Sequence, residues 1–498
     1  MLVGSDHFAR LKENNMPRPL ILVHGYSADA QAFHPVREAL LKAGDKQKLV
    51  EINVCNYISL NNEITIKDIA EGFDRALGLR AGLNKGEEFD AIVHSTGMLV
   101  VRAWLVNYGG PLAQNKRLSR LKHLIGLAPA TWGSPTAHKG RTWLGALVKG
   151  NRELGPDFMN AGDRVLEGLE LGSEFTWDLA HEDLLGDQPY YGRGDDTPYV
   201  TVFIGNQPYT GLSSFANSPG ADGTVRWAGC GLNARKITVD LTRTGVDGQR
   251  VKLSDWAVDR LDVPILAVDG KNHATILSDP DPAMIGLVVD FLDVNTKDGH
   301  AAWLAKAKEF SAKALPQMLK LPGPGGILGG AEGLLKKLEG EKTEPEMEGW
   351  QQFVVHARDE WGDGITDYMM EVYREESGNW VKFEQMSTDV HAYGLDESFR
   401  CFHIRLPKGI SQPGLKLCVC VNASTGTDLM AYRAYDSQKD PIELGERNPP
   451  IRLDIDGLGP TGQDSLFHPF TTTLIEILIN REPVPFDAEN RVLNFEKI

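Results

Sequence analysis

The chain has 498 residues, 42% hydrophobic and 24% charged, so it carries apolar material for more than one globular core. Its 52 Lys and Arg against 68 Asp and Glu leave a net charge of −16, which speaks against nucleic acid and anionic membrane surfaces as partners. The opening MLVGSDHFARLKENNMPRP lacks an apolar signal-peptide core and no apolar run reaches the length of a membrane span, so a cytoplasmic location is expected, with export by a route that reads no N-terminal signal left open.

Residues 19–300 alternate short apolar runs with helical patterns. Strands are predicted at Leu20–Val23, Leu49–Val54, Ala91–Val93, His123–Leu127, Val200–Ile204 and Pro264–Val268. Their apolarity on both faces fits a parallel sheet covered by helices on each side. Ala32–Ala43 and Ile66–Leu79 have helical apolar spacing, and Met98–Val106 is apolar nearly all round, as a buried helix is. The alternation is interrupted at 133–198, rich in Gly, Trp, Leu and Phe, with short helices expected near Phe158–Leu171 and Ser173–Leu185. It is interrupted again at 235–256, which reads as a β-hairpin around Gly245-Val246-Asp247-Gly248. Helices are predicted at Ala283–Val294 and Ala301–Leu321, followed by LPGPGGILGG and a charged run that together read as a linker. From Trp350 onward, short strand-like runs separated by turn residues predict an all-β sandwich. The expected division is therefore an α/β domain at 1–310 with a cap or lid inserted at 133–198, a helix and linker at 311–348, and a separate β-sandwich at 349–498.

Five cysteines, Cys55, Cys230, Cys401, Cys418 and Cys420, lack framework spacing, which predicts reduced thiols. No CxxC or HExxH pattern occurs, and neither a metal nor a cofactor is expected. In the sandwich, Trp361, Trp380, Tyr373, Phe383 and Phe399 are expected mostly in the core, and Asp359, Asp363 and Asp367 read as a turn sooner than a calcium loop.

The chemistry concentrates in Phe89-Asp90-Ala91-Ile92-Val93-His94-Ser95-Thr96-Gly97-Met98. An apolar strand runs into a Ser, a small residue and Gly, and then an apolar helix, which is the pattern of a nucleophile elbow. The turn lifts the hydroxyl above the sheet edge, over the backbone N–H groups of a helix start. Gly97 supplies the small residue such a turn needs, whereas Val93 stands where the usual G-x-S-x-G has Gly. The competing reading is a Ser that caps an ordinary buried helix. Upstream, Leu20-Ile21-Leu22-Val23-His24-Gly25-Tyr26 ends a strand in His-Gly, where Gly25 permits close backbone approach and His24 is read as a loop-holding histidine. In sheets built this way the backbone amides of Tyr26 and Thr96 are the positions expected to form an oxyanion hole.

A base and an acid must follow in the order acid, then base. His273 lies in Asp269-Gly270-Lys271-Asn272-His273, directly after the last predicted strand; His300, His181 and His138 are weaker rivals by position. Asp222, in Gly220-Ala221-Asp222-Gly223-Thr224, follows the strand before it, with Asp269 as the fallback. The order Ser95, Asp222, His273, each after a predicted strand, is stronger than any one match.

With Leu127-Ala128-Pro129-Ala130-Thr131-Trp132-Gly133-Ser134-Pro135 added, residues 19–295 resemble the lipase branch of the α/β-hydrolases, near bacterial triacylglycerol lipases and related esterases and phospholipases. That resemblance implies Ser95, Asp222 and His273 as a triad, Tyr26 and Thr96 as oxyanion donors, and His24, Gly25, His94 and Gly97 as supports of the motif. It also implies a lid at 133–198, with Trp132, Trp143, Leu144, Leu147, Phe158, Phe175 and Trp177 on its apolar face. The expected activity is hydrolysis of acyl esters through an acyl-enzyme, with acylglycerol, phospholipid or a simple ester as substrate. The rivals are a phospholipase or acyltransferase, exported as an effector, on the same triad, and a non-catalytic binding protein on the same fold. The last is disfavoured because both Ser95 and His273 are present.

Overall fold

The computed structural model describes residues 18–25, 32–44, 47, 49–52, 63–84, 86–109, 120–139, 163–187, 190–192, 197–210, 217–242, 250–254, 256, 263–319, 346–386, 388–410, 415–439, 444–445, 451–454, 465–486 and 492. Six strands form one all-parallel sheet: β1 (Leu20–Val23), β2 (Leu49–Ile52), β3 (Phe89–His94), β4 (Leu121–Leu127), β5 (Tyr199–Gly205) and β8 (Ile265–Val268). Their order is β2-β1-β3-β4-β5-β8. The period-2 geometry of a strand divides its side chains between two cores. Ile21, Val23, Ala91, Val93, Val202 and Ile204 enter one, while Leu20, Leu22, Ile92 and Phe203 enter the other.

The first core is covered by α2 (Ile66–Leu79) and α3 (Gly97–Trp104), the second by α1 (His34–Lys42), α7 (Thr275–Ser278), α8 (Pro282–Leu292) and α9 (Lys297–Leu319). Helix α2 starts with a reciprocal cap: the Thr65 hydroxyl accepts from the Asp68 amide, and the Asp68 carboxylate accepts from the Thr65 amide at 2.8 Å. Every residue of α3 is buried, matching its all-round apolar pattern. Its single charge, Arg102, is answered by both carboxylate oxygens of Asp183, each at 2.8 Å, and by the Thr131 carbonyl at 2.6 Å. The Tyr191 hydroxyl donates to the same carboxylate at 2.7 Å. A buried pair so fully hydrogen-bonded fixes geometry more than it adds stability, because desolvation offsets most of the attraction. What it fixes is the 133–198 insertion.

Among its described residues that insertion has α4 (Pro135–Lys139), α5 (Asp163–Leu169) and α6 (Glu174–Asp183). Trp132 and Trp177 belong to the first core, and Phe175 is packed against that core. Trp143, Leu144, Leu147 and Phe158 lie outside the described residues. Helix α6 is held to α3 on one side by Asp183 and, on the other, meets the second half of the chain. Trp177 contacts the rings of His356 at 5.6 Å and Phe399 at 5.7 Å. Buried Glu170 bonds His391 at 3.1 Å and the Gly394 amide at 2.8 Å. The described part of the insertion is thus a wedge packed on two sides.

The second half is built from β9 (Met347–Asp359), β10 (Tyr368–Glu376), β11 (Asn379–Lys382), β12 (Thr388–Ala392), β13 (Phe399–Pro407), β14 (Leu417–Ala423), β15 (Met430–Tyr432), β16 (Ile451–Asp454), β17 (Thr472–Ile479) and β18 (Arg481–Pro483). Strands β15 and β18 pair as a two-stranded ribbon. A four-stranded sheet, β11-β10-β14-β16, faces a six-stranded one across an apolar core that includes Phe353, Phe402, Ile475, Val419 and Ile451. The six-stranded sheet runs β12-β13-β9-β17-β6-β7, and its last two strands are the hairpin β6 (Ala234–Leu241) and β7 (Val251–Leu253) from the first half. The sheets therefore do not divide at residue 310: the expected hairpin forms, but it extends the sandwich. Strand β17 enters in parallel between β6 and β9, in register over eight pairs with each. The expectation that the sandwich aromatics are mostly core holds for Phe383 and Phe399, whereas Tyr373 and Trp380 are half-buried. Trp361 is 80% exposed at a loop tip, not core. Asp359 is buried and accepts from the amides of Trp361 and Asp363, each at 3.0 Å, as a turn-forming carboxylate does. Among the described residues, Cys230, Cys401, Cys418 and Cys420 are buried free thiols, no group of three or more side chains is placed to hold a metal, and no helix is long and apolar enough to cross a membrane. Cys55 lies outside them.

The shared sheet makes a prediction about truncation. Removing residues 346–498 strips β17 from β6 and bares Ile237, Val239 and Leu241 on an open edge. Such a chain is expected to aggregate or to bind a hydrophobic dye on gel filtration; a monodisperse truncated protein of unaltered near-UV dichroism would refute the shared-sheet account.

Candidate active site

Strand β3 ends at His94, and Ser95 follows with φ of 52°. A non-glycine residue adopts this left-handed conformation only where its surroundings over-determine it. Here they do. The Ser95 carbonyl accepts from Ala130 at 3.0 Å and from Met98 at 3.3 Å, and the Ser95 amide donates to Leu127 at 3.4 Å. Two glycines let neighbouring backbone close on the turn. A Cβ on Gly25 would stand 2.9 Å from the Cβ of Ser95, and one on Gly97 would stand 2.7 Å from the Val23 carbonyl oxygen. Val93 occupies its usual-Gly position as a fully buried residue of the first core. Thr96 is the N-cap residue of α3, so its amide is among those without an intrahelical partner. Tyr26, the other expected oxyanion donor, lies outside the described residues.

The structure brings the three distant candidates together. The Ser95 hydroxyl is 3.1 Å from Nε2 of His273, and Nδ1 of His273 is 3.0 Å from a carboxylate oxygen of Asp222. All three are buried, Ser95 with 2% of its surface exposed. A carboxylate accepts only, so Nδ1 carries the proton and Nε2 is left to accept from the hydroxyl. The second carboxylate oxygen of Asp222 accepts from the amides of Thr224 at 3.0 Å and Val225 at 2.8 Å. The His273 amide donates to the Asp222 carbonyl at 3.0 Å. The rivals are engaged elsewhere. Asp269 accepts from Asn206 at 2.9 Å, His300 lies against Tyr199 at 5.3 Å, and His181 bonds the Trp177 carbonyl at 2.8 Å. The side chain of His138 lies outside the described residues.

His94 and His24 support this row from behind. Nε2 of His94 donates to the His273 carbonyl at 3.1 Å, and the two rings lie 4.8 Å apart. Burial, with added repulsion from His273 and His24, pushes His94 well below the ordinary imidazole range, so it is neutral. His24 donates from Nδ1 to the Gly25 carbonyl at 2.7 Å, fixing the loop that faces Ser95. Cys230 is pushed well above the usual thiol range by burial and by the charge of Asp222, which leaves it a protonated bystander.

Several residues hold the loop of Asp222 in roles that were not read from the sequence. Ser134 donates to the Thr224 carbonyl at 2.5 Å, Thr131 to Cys230 at 2.5 Å, and the indole of Trp132 to Gly231 at 3.0 Å. The tract 131–134 thus grips residues 224–231, which gives the Pro-x-x-x-Gly-Ser stretch a physical role. Tyr209 bonds the Thr224 hydroxyl at 2.9 Å. Arg226, with 2% of its side chain exposed, reaches Asp389 on β12.

Two outcomes follow from this geometry. Gly97→Ala forces a Cβ against a main-chain carbonyl that cannot swing aside, and is expected to cost about 1–3 kcal/mol in urea unfolding. His94 remains neutral when folded but takes a proton near its ordinary value of 6.5 when unfolded. Its contribution is therefore full above that pH and declines below it, by up to about 1.4 kcal/mol per pH unit. Stability measured from pH 7.5 down to 5 is expected to fall less steeply in His94→Gln than in the wild type; parallel curves would contradict a neutral His94.

No protein-family model and no curated protein sequence matches the chain. Among solved structures, the chain is similar to the phospholipase PlaB from Legionella pneumophila, with a TM-score of 0.66 and 19% identity, covering 96% of this chain and 97% of that one. The same figures hold for PlaB in complex with thio-NAD. The mature Bacillus licheniformis lipase BlEst2 is similar over 53% of this chain and 87% of its own, at 14% identity and a TM-score of 0.33. Taken with the parallel sheet, the strand–Ser–helix turn and the likeness that runs through both halves, the chain has the α/β-hydrolase fold, with a β-sandwich built onto it.

Proposed function

We propose that the chain is a serine hydrolase of carboxylic esters, with Ser95 as nucleophile, His273 as base and Asp222 as orienting acid. The observation that carries this reading is the buried hydrogen-bonded row from Ser95 through His273 to Asp222, at 3.1 and 3.0 Å. A hydroxyl is a weak nucleophile until a base takes its proton. In the proposed reaction the Ser95 oxygen attacks the acyl carbon as its proton passes to Nε2 of His273, and Asp222 stabilises the imidazolium. The carbonyl oxygen becomes an oxyanion facing the Thr96 amide at the positive end of α3, with Tyr26 the expected second donor; each such donor is worth about 3 kcal/mol of barrier. Collapse expels the alcohol, which takes the proton from His273, and leaves Ser95 acylated. Water, deprotonated by the same imidazole, then releases the acid and restores the hydroxyl.

The substrate is proposed to be an acyl ester with an apolar chain. Phospholipids belong in the first substrate panel because PlaB, to which the chain is similar over 96% of its length, is a phospholipase. The transferase reading is separated by adding an alcohol acceptor and looking for a new ester among the products. The non-catalytic reading is disfavoured by the base at hydrogen-bonding distance from the hydroxyl.

A fluorophosphonate probe is expected to label Ser95 and no other residue. Ser95→Ala should remove p-nitrophenyl ester turnover, and Asp222→Asn should lower kcat by about four orders of magnitude, since it permits the wrong imidazole tautomer. Labelling at another residue, or turnover surviving in Ser95→Ala, would refute the assignment.

A further inference from the structure

The carboxylate of Asp222 takes its orientation from a tight turn. Asp222 donates its amide to the Val225 carbonyl at 3.1 Å, Ala221 bridges Arg226, and Trp227 donates to Gly220 at 2.8 Å. The turn can hold the carboxylate on His273 only if its two ends are fixed, and both ends rest on the sandwich. At Gly220 there is no room for a side chain: an added Cβ would stand 2.6 Å from the His403 ring and 2.7 Å from that of Trp350. These two rings are stacked at 4.6 Å, on β13 and β9. At the other end, the Arg226 guanidinium is buried, donates to the Asp389 carboxylate and lies 3.5 Å from the sulfur of Cys401.

We propose that Arg226 and Asp389 are a positioning pair through which the sandwich sets the carboxylate of Asp222, so that turnover at Ser95 depends on a residue of β12. This rests on the triad reading above. A buried guanidinium deprived of its carboxylate is strongly unfavourable and is driven to reorganise toward water or another acceptor. The backbone of residue 226 moves with it, and Asp222 sits in the same turn. Neither residue touches the reacting atoms. Their effect is on geometry, and displacement of a catalytic group by an ångström can cost about a hundredfold in rate. The Asp389 side chain is 37% exposed, so shortening it opens no sealed cavity.

The test is a double-mutant cycle in the full-length protein, read with a p-nitrophenyl ester. Asp389→Ala is expected to lower kcat by about ten- to a hundredfold with KM unchanged, and Asp389→Glu to restore most of it. In the Asp222→Asn background, Asp389→Ala should cause no further loss, because residues that act through one group are not additive. An equal loss in both backgrounds, or unchanged kcat in Asp389→Ala, would overturn the proposal. If Asp389→Ala does not fold, Asp389→Asn, which preserves the volume, carries the same cycle. Failure of the triad reading looks different: the wild type itself would neither turn over ester nor be labelled at Ser95.

Discussion

The bond between Asp222 and His273 is the contact on which the rest of the site leans. An imidazole can serve a hydroxyl only in one tautomer and one orientation, and both are imposed by the carboxylate at Nδ1. The carboxylate is in turn only as steady as its turn. That turn is gripped on one side by the 131–134 tract and on the other by the six-stranded sheet, at Gly220 and Arg226. Beside that turn, β9 is buried on both faces. Phe353 and Val355 point into the sandwich core, while Val354 points into the first core of the α/β half. The wall behind the acid is therefore solid on both sides.

This arrangement makes the two halves one cooperative body. Strand β17, contributed late in the chain, completes a sheet begun by β6 more than two hundred residues earlier. Forming that parallel pair brings the 220–231 loop to its seat, since Thr472 at the start of β17 bonds the carbonyl of Ala228 at 3.2 Å. The insertion adds a second tie through Glu170 and Trp177. Loss of the sandwich thus removes the seat of the acid along with a domain.

What was legible in the sequence is what local chemistry writes. A strand followed by Ser, a small residue, Gly and an apolar helix has few structural meanings, so Ser95 was visible. So were Asp222 and His273, because each follows an apolar strand of a sheet whose order of elements is informative. What could not be read is partnership at a distance. The alternation in KITVDL declares that one face of β6 is buried, but not that its neighbour is β17. Arg226 stands among small and apolar residues, which hints at burial, yet its carboxylate lies 163 residues away. Gln351 and Gln352 are wholly buried on β9, where Gln351 donates to the Leu466 carbonyl and the Thr473 hydroxyl and Gln352 donates to the Thr472 hydroxyl. No composition rule places glutamines there. Trp361 fails in the opposite sense: an aromatic in a β-rich segment is usually core, but this one falls on the tip of the turn that Asp359 organises.

The proposed triad is also joined through its main chain, apart from the side-chain bonds between its members. The amide of His273 is bound to the Asp222 carbonyl at 3.0 Å, and the carbonyl of His273 accepts from His94, the residue preceding the nucleophile, at 3.1 Å. Both polar backbone groups of the base are thus spent on the acid and on the neighbour of the nucleophile. An imidazole held only by its ring would pivot when its charge changed; one held by its backbone as well keeps its place as the proton arrives and leaves. The identity of residue 94 matters for the same reason. A neutral imidazole can donate to a carbonyl while adding no charge beside the imidazolium of the proposed reaction, whereas a lysine or arginine there would repel it. Burial, which keeps His94 neutral, makes its Nε2–H available without that penalty.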